Sequence, residues 1–191
     1  MPTFRGVHHV GLVTGDMDET IRFWRDLLGL RLVAGHGDKR YRQYFFELAP
    51  QRYVSFFEWP GAEPIEERDP GYAVPGHIAF DHVCLEVVDE EALWGLKDRL
   101  EAADCWVTEV VDNGMIISFF TTDPNHITLE LCCRVAGVDL GAKPKMLDRD
   151  ASPLTLEGPE PQHERWPHVT SPTPRTERRV YPGGQAKLGK P

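Results

Sequence analysis

Two stretches of alternating residues frame this chain. In Val7-His8-His9-Val10-Gly11-Leu12-Val13, alternation puts Val10 and Leu12 on one strand face and His9, Gly11 and Val13 on the other. In Phe80-Asp81-His82-Val83-Cys84-Leu85-Glu86-Val87, the apolar set is Val83, Leu85 and Val87, and His82, Cys84 and Glu86 share the opposite face. The spacing after each stretch is helical. Asp16 or Asp18 can cap a helix whose apolar positions are Met17, Ile21, Trp24, Leu27 and Leu28, with Gly29 placed to end it. Asp89 can cap a second helix with Leu93, Leu96 and Leu100 on one stripe and Trp94 beside it. Shorter strands follow in each half. They span 30–34, 41–48 and 53–59 in the first, and 106–111, 115–122 and 127–133 in the second. Gly35-His36-Gly37-Asp38 reads as a loop, and Ala49-Pro50-Gln51-Arg52 as a tight turn.

Both halves therefore read β-α-β-β-β, an internal repeat with an offset of 73 residues between His9 and His82. The predicted fold class is α+β, with one βαβββ module over 4–60 and a second over 78–135. A linker loop spans 61–77, a stretch rich in proline and acidic residues. Beyond Val138 periodicity is lost. Nine prolines and six glycines fall between residues 137 and 191, so the segment 138–191 is an irregular Pro/Gly-rich tail that cannot build a core alone. It either packs weakly or covers a site or a partner subunit.

Composition narrows the function classes. A formal net charge of −9 argues against a nucleic-acid partner, which wants a basic face. No apolar run approaches the roughly 20 residues that span a bilayer, and no signal peptide precedes the first strand. Cys84, Cys105, Cys132 and Cys133 lack CxxC or zinc-finger spacing, so a cytoplasmic protein with reduced thiols is expected.

Candidate chemistry comes from strand parity. His9 and His82 hold equivalent positions and point away from the apolar, helix-facing sides of their strands. In the last strand Ile127, Leu129 and Leu131 form the apolar set, so Thr128, Glu130 and Cys132 share the face of His82. The first module's counterpart of Glu130 falls at Ser55 or Phe57, and Glu58 has the wrong parity. The expected metal ligands are thus His9, His82 and Glu130. Two neutral imidazoles and one carboxylate with open positions suit Fe(II), and Mn, Zn, Ni or Co also fit. Aromatic density in the first module favours an apolar or aromatic small-molecule substrate.

The stretches His8-His9-Val10-Gly11-Leu12-Val13, Thr20 to Leu30, and Thr122-Asp123-Pro124-Asn125-His126-Ile127-Thr128-Leu129-Glu130-Leu131 resemble the vicinal oxygen chelate superfamily over residues 4–135. That superfamily includes glyoxalase I, extradiol dioxygenases and bleomycin- and fosfomycin-resistance proteins. The usual glycine of its closing turn is missing, with Asn125-His126 there instead. The resemblance implies a cup-shaped mixed sheet with helices outside and a divalent metal in the cup. It also implies a possible homodimer. The ligand set is similar to that of an Fe(II) extradiol dioxygenase. A non-redox lyase or isomerase and a drug- or metabolite-binding resistance protein are the alternatives. The acid/base His and Tyr usual in extradiol enzymes are missing from the corresponding strands. Tyr44, His36 and His77 are the substitutes the sequence offers.

Overall fold

The computed structural model describes residues 4–38, 40–73, 80–162 and 167–189. His77 lies outside them. The chain divides into two compact units, Met1–Ala136 and Gly137–Pro191. The second unit carries neither strand nor α-helix among its described residues, only single 3-10 turns at Thr155–Glu157 and Arg175–Glu177.

The first unit holds two four-stranded mixed sheets. Strands β1 (His9–Thr14), β2 (Arg31–Asp38), β3 (Tyr41–Ala49) and β4 (Arg52–Glu58) are ordered β1-β4-β3-β2. Strands β5 (Val83–Glu86), β6 (Val111–Asp112), β7 (Ile116–Thr122) and β8 (Thr128–Arg134) repeat that order as β5-β8-β7-β6. In each sheet the first strand runs parallel to the last, and the remaining pairs are antiparallel. This is the α+β tandem βαβββ architecture that the repeat predicts.

Four boundaries differ from the sequence expectation. Gly35-His36-Gly37-Asp38 is not a loop but the end of β2, paired to β3 through His36↔Gln43 and Asp38↔Tyr41. The absent side chains make this possible. A Cβ on Gly35 would meet the Tyr44 ring at 2.7 Å, and one on Gly37 would meet the Tyr41 carbonyl oxygen at 2.3 Å. The strand expected over 80–87 is only Val83–Glu86 among the described residues, so His82 sits just before the ladder. The strand expected over 106–111 shrinks to Val111–Asp112 plus an isolated Val107↔Thr121 bridge. The first helix is α-helical only over Met17–Ile21 (α1) and continues as a π-helical segment, Arg22–Leu27, before Gly29 at φ +83°. Asp16 is its N-cap, accepting from the Asp18 and Glu19 amides.

Burial explains why the modules stay together. Met17, Phe23, Trp24, Leu28, Phe46, Val54 and Phe56 of the first module form one core with Leu85, Leu93, Leu100, Phe119, Ile127, Leu129 and Leu131 of the second. The helix α2 (Glu90–Ala102) supplies Leu93 and Leu100, both fully buried. Each such side chain contributes roughly 1.5–3 kcal/mol. Polar links cross the same boundary. Trp24 donates its Nε1–H to Asp123 Oδ2 at 3.2 Å, Asn125 reaches Thr20 Oγ1 at 3.4 Å, and Arg99 donates to the Leu27 carbonyl at 3.1 Å. His126 takes a left-handed φ of +60° in the turn after Asp123, a conformation that glycine adopts at no steric cost.

Glu58 bears out its parity. It lies on the helix side of β4, accepts from the Met17 amide at 2.9 Å, and is paired by Arg42 through Nε and, at 2.6 Å, Nη2. Arg42 holds its carboxyl below the usual range, with the Met17 amide adding to the effect against burial. A carboxyl lowered by folding stabilises the fold above its unfolded pKa, and that contribution disappears as pH falls through the folded value. Glu58→Gln should therefore cost about 1–2 kcal/mol at pH 7, discounted because Arg42 is part exposed. The deficit should narrow as pH drops below about 4. Urea midpoints of both proteins across pH 3–7 check this, and a deficit independent of pH would contradict it.

Candidate metal centre

Register fixes which side chains share the face away from the common core. In the second sheet the pairs Cys84↔Glu130, Glu86↔Cys132, Ser118↔Cys132 and Phe120↔Glu130 put Glu130, Cys132, Ser118 and Phe120 on the face of Cys84. In the first sheet the pairs His9↔Tyr53, Gly11↔Ser55, Phe45↔Ser55 and Gln43↔Phe57 gather the corresponding set. Superposing the two pairing schemes makes Ser55 the counterpart of Glu130 and Phe45 the counterpart of Phe120. The choice between Ser55 and Phe57 thus resolves to Ser55.

His82 and Glu130 meet. His82 Nε2 lies 3.2 Å from Glu130 Oε2, and His82 Nδ1 lies 2.5 Å from Asp81 Oδ1. The ring sits edge-on to Phe120, 5.3 Å between centroids. Asp81 is itself held by the Gly71 amide at 3.2 Å. The interaction with His82, followed by that amide, keeps the Asp81 carboxyl below its usual range. Donation of Nδ1–H to Asp81 leaves Nε2 facing an almost buried carboxylate, 6 % exposed. Two electron-pair donors at this distance are held together by a proton or by a cation. An imidazole whose far nitrogen is anchored on a carboxylate is the usual posture of a metal ligand. The donor set therefore fits a divalent metal. Sequence reasoning missed Asp81, although its place directly before His82 was the available signal.

His9 is not gathered with this pair. It is exposed at the start of β1, its Nδ1 3.0 Å from His8 Nδ1 and its ring edge-on to Phe45 at 6.0 Å. Among the described residues no three His, Cys, Asp or Glu side chains converge as a metal-binding group. The two modules thus repeat one local arrangement: a histidine beside a phenylalanine in each, and a carboxylate against the histidine in one only.

His36 lies on the same sheet face as His9, with Nε2 3.0 Å from Gln43 Oε1. Gln43 in turn donates to Ser55 Oγ at 3.3 Å, and both residues are buried. This amide–hydroxyl network occupies the place that Ser118 and Glu130 fill in the other module, and sequence parity did not foresee it. Tyr44 lies on the opposite face, paired with Phe56 and packed against the core, with the Arg42 guanidinium 5.9 Å from its ring centroid. Cys84 Sγ and Cys132 Sγ are 3.3 Å apart. The hydrogen bond to Cys132, then burial, then Glu130 raise the Cys84 thiol well above its usual range.

Comparison with known proteins fits this geometry. The family model described as glyoxalase/bleomycin resistance protein/dioxygenase superfamily matches residues 6–131. The chain belongs to this superfamily. No curated protein matches the sequence. Among solved structures, a glyoxylase/bleomycin resistance protein/dioxygenase domain from Frankia sp. EAN1pec shares 21% identity over 70% of this chain and 100% of its own, with a TM-score of 0.59. Lactoylglutathione lyase from Agrobacterium tumefaciens shares 20% identity over 69% of this chain and 96% of its own (TM-score 0.51). A glutamate-to-glutamine mutant of the fosfomycin resistance protein FosX from Listeria monocytogenes, complexed with Mn(II) and 1S,2S-dihydroxypropylphosphonic acid, shares 17% over 68% and 92% (TM-score 0.51). At these identities the likeness is one of fold. No helix among the described residues is long and apolar enough to cross a membrane.

The Asp81 anchor makes a direct prediction. In Asp81→Asn the Nδ1 proton of His82 loses its charge-assisted partner. Long-range proton–nitrogen spectra should show that proton moving upfield, with the signals of His36 and His126 unchanged. An unmoved His82 signal would remove Asp81 from the site.

Proposed function

We propose that this chain is a metal-dependent enzyme of the superfamily's vicinal oxygen chelate type, and that His9, His82 and Glu130 hold the metal across two copies of the chain. The observation that carries the reading is the His82–Glu130 pair, 3.2 Å apart with His82 anchored on Asp81, set against the exposed and separate His9. Each copy would present the two-donor half-site to His9 of the partner subunit. Strands β1 and β5 are both sheet edges, which suits edge-to-edge pairing between copies. Two imidazoles and one carboxylate leave coordination positions open for two vicinal oxygens of a small substrate. The diol bound to FosX with Mn(II) is a ligand of that chemistry.

When bound, the metal would act as a Lewis acid and template, and iron would add redox capacity. The protein's own residues do the rest. Asp81 orients His82, and the Phe45 and Phe120 rings wall the two histidines and limit water. His36 is the candidate acid/base group. With its Nε2–H donated to Gln43, Nδ1 is left as the proton acceptor on the sheet face it shares with His9. A two-His-one-carboxylate donor set supports Fe(II) and an extradiol-like dioxygenase acting on an aromatic or enediol-like substrate. A non-redox lyase or isomerase is the alternative.

Subunit mixing tests the shared site. His9→Ala and His82→Ala should each abolish Mn(II) binding in equilibrium dialysis. Unfolded and refolded together, they should recover about a quarter of the sites, because only one of the two sites in a mixed dimer keeps all three ligands. No recovery, with both variants folded, would place all three ligands in one chain or none. Separately, the Fe(II)-loaded protein should consume O₂ with a catechol. Bound metal without O₂ uptake would reject the dioxygenase and leave the non-redox reading.

A further inference from the structure

Cys84 and Cys132 stand on adjacent parallel strands, β5 and β8, on the sheet face that also carries Glu130. Their sulfurs are 3.3 Å apart, about 1.3 Å longer than a disulfide bond. Both are free thiols, with Cys84 exposed and Cys132 buried at 4 %. The other two cysteines have no comparable relation to this pair. The Cys105 sulfur approaches the Ala103 carbonyl, and Cys133 points into the core from the other face of β8. Sulfur proximity thus selects one pair of the possible ones, a diagonal pair, since Cys84 stands opposite Glu130 and Cys132 opposite Glu86. Only Cys84 of that pair meets solvent.

We propose that Cys84 and Cys132 form a reversible dithiol–disulfide pair, a modification site in the wall beside Glu130. With a peroxide as oxidant, the Cys84 sulfur attacks one peroxide oxygen, the O–O bond breaks, and Cys84 becomes a sulfenic acid with loss of one water. The Cys132 sulfur then attacks the Cys84 sulfur, and the hydroxyl leaves as a second water. Two S–H bonds are lost, one S–S bond forms, and the two electrons pass from the thiols to the peroxide. A dithiol reductant reverses it. Access, not acidity, makes Cys84 the entry point: its thiol is the raised one of the pair and that of Cys132 the lowered one, but only Cys84 meets a peroxide from solvent, and burial makes Cys132 the resolving partner. The bond would tie β5 to β8 one step further along the strands than the His82–Glu130 contact, on the same face. It does not depend on a metal being held there.

The test treats the full chain, freed of metal by chelator, with hydrogen peroxide and follows mass and thiol count. Expected is a loss of 2 Da and of two of the four thiols, reversed by dithiothreitol, with the bond mapped to Cys84–Cys132. Cys133→Ser, which excludes a bond between neighbouring cysteines, should behave as the unmodified protein does. Cys84→Ser should lose none of its thiols to an intramolecular bond. Cys132→Ser should stop at a sulfenic acid on Cys84, trapped by dimedone. A bond mapped to any other pair, or sulfinic acid on Cys84 of the unmodified protein with no loss of 2 Da, would overturn the proposal. Far-ultraviolet circular dichroism of each variant separates these outcomes from a failure to fold.

Discussion

The rest of the molecule hangs on the burial of Trp24 between the two modules. Its ring is fully enclosed against Phe46 and Phe56, with centroids 6.5 and 5.3 Å away, and its indole N–H reaches Asp123. A buried indole N–H needs an acceptor, and a buried carboxylate needs donors. Burial pushes the Asp123 carboxyl up, while donors from Asn125, Ile127 and Trp24 offset it. This exchange pins the turn that starts β8, and the start of β8 sets where Glu130 falls.

The helix-side residues of both sheets enter one core, so each sheet keeps its other face off that core. Those second faces carry the polar chemistry. His82 and Glu130 lie on one, with His9, His36, Gln43 and Ser55 on the other. A single chain therefore brings His82 and Glu130 together and leaves His9 apart from them. Among the described residues β1 and β5 are sheet edges, which is where the proposed second copy would complete the face. On the proposed function, the interface and the metal site become one requirement, since among the described residues no three donors converge in one chain.

The repeat is close in backbone and broken in chemistry. Phe45 and Phe120 stand edge-on to the equivalent histidines, yet Ser55 takes the place of Glu130 and is filled in by Gln43. One module has a carboxylate facing its histidine. The other closes the same space with a neutral network, which satisfies its buried polar atoms without any ion.

Much of this was written in the sequence. Alternation alone assigned His9, His82 and Glu130 to the faces away from the core, kept Glu58 off that face, and found the repeat, because strand parity is a local property with a period of two. It failed at β2, where Gly35 and Gly37 look like loop residues. Only the Tyr44 ring and the Tyr41 carbonyl pressed against them reveal why glycine is needed in a strand. It could not choose between Ser55 and Phe57, which depends on inter-strand register. Nor could it find the Asp81 anchor, the His36–Gln43–Ser55 network or the approach of Cys84 to Cys132. Those are contacts between side chains, and side-chain distances exist only once the strands are aligned. The sequence determined which residues lie on the faces away from the core; tertiary packing decided that one chain brings His82 and Glu130 together and leaves His9 apart from them, because its two apolar faces had to share a single core.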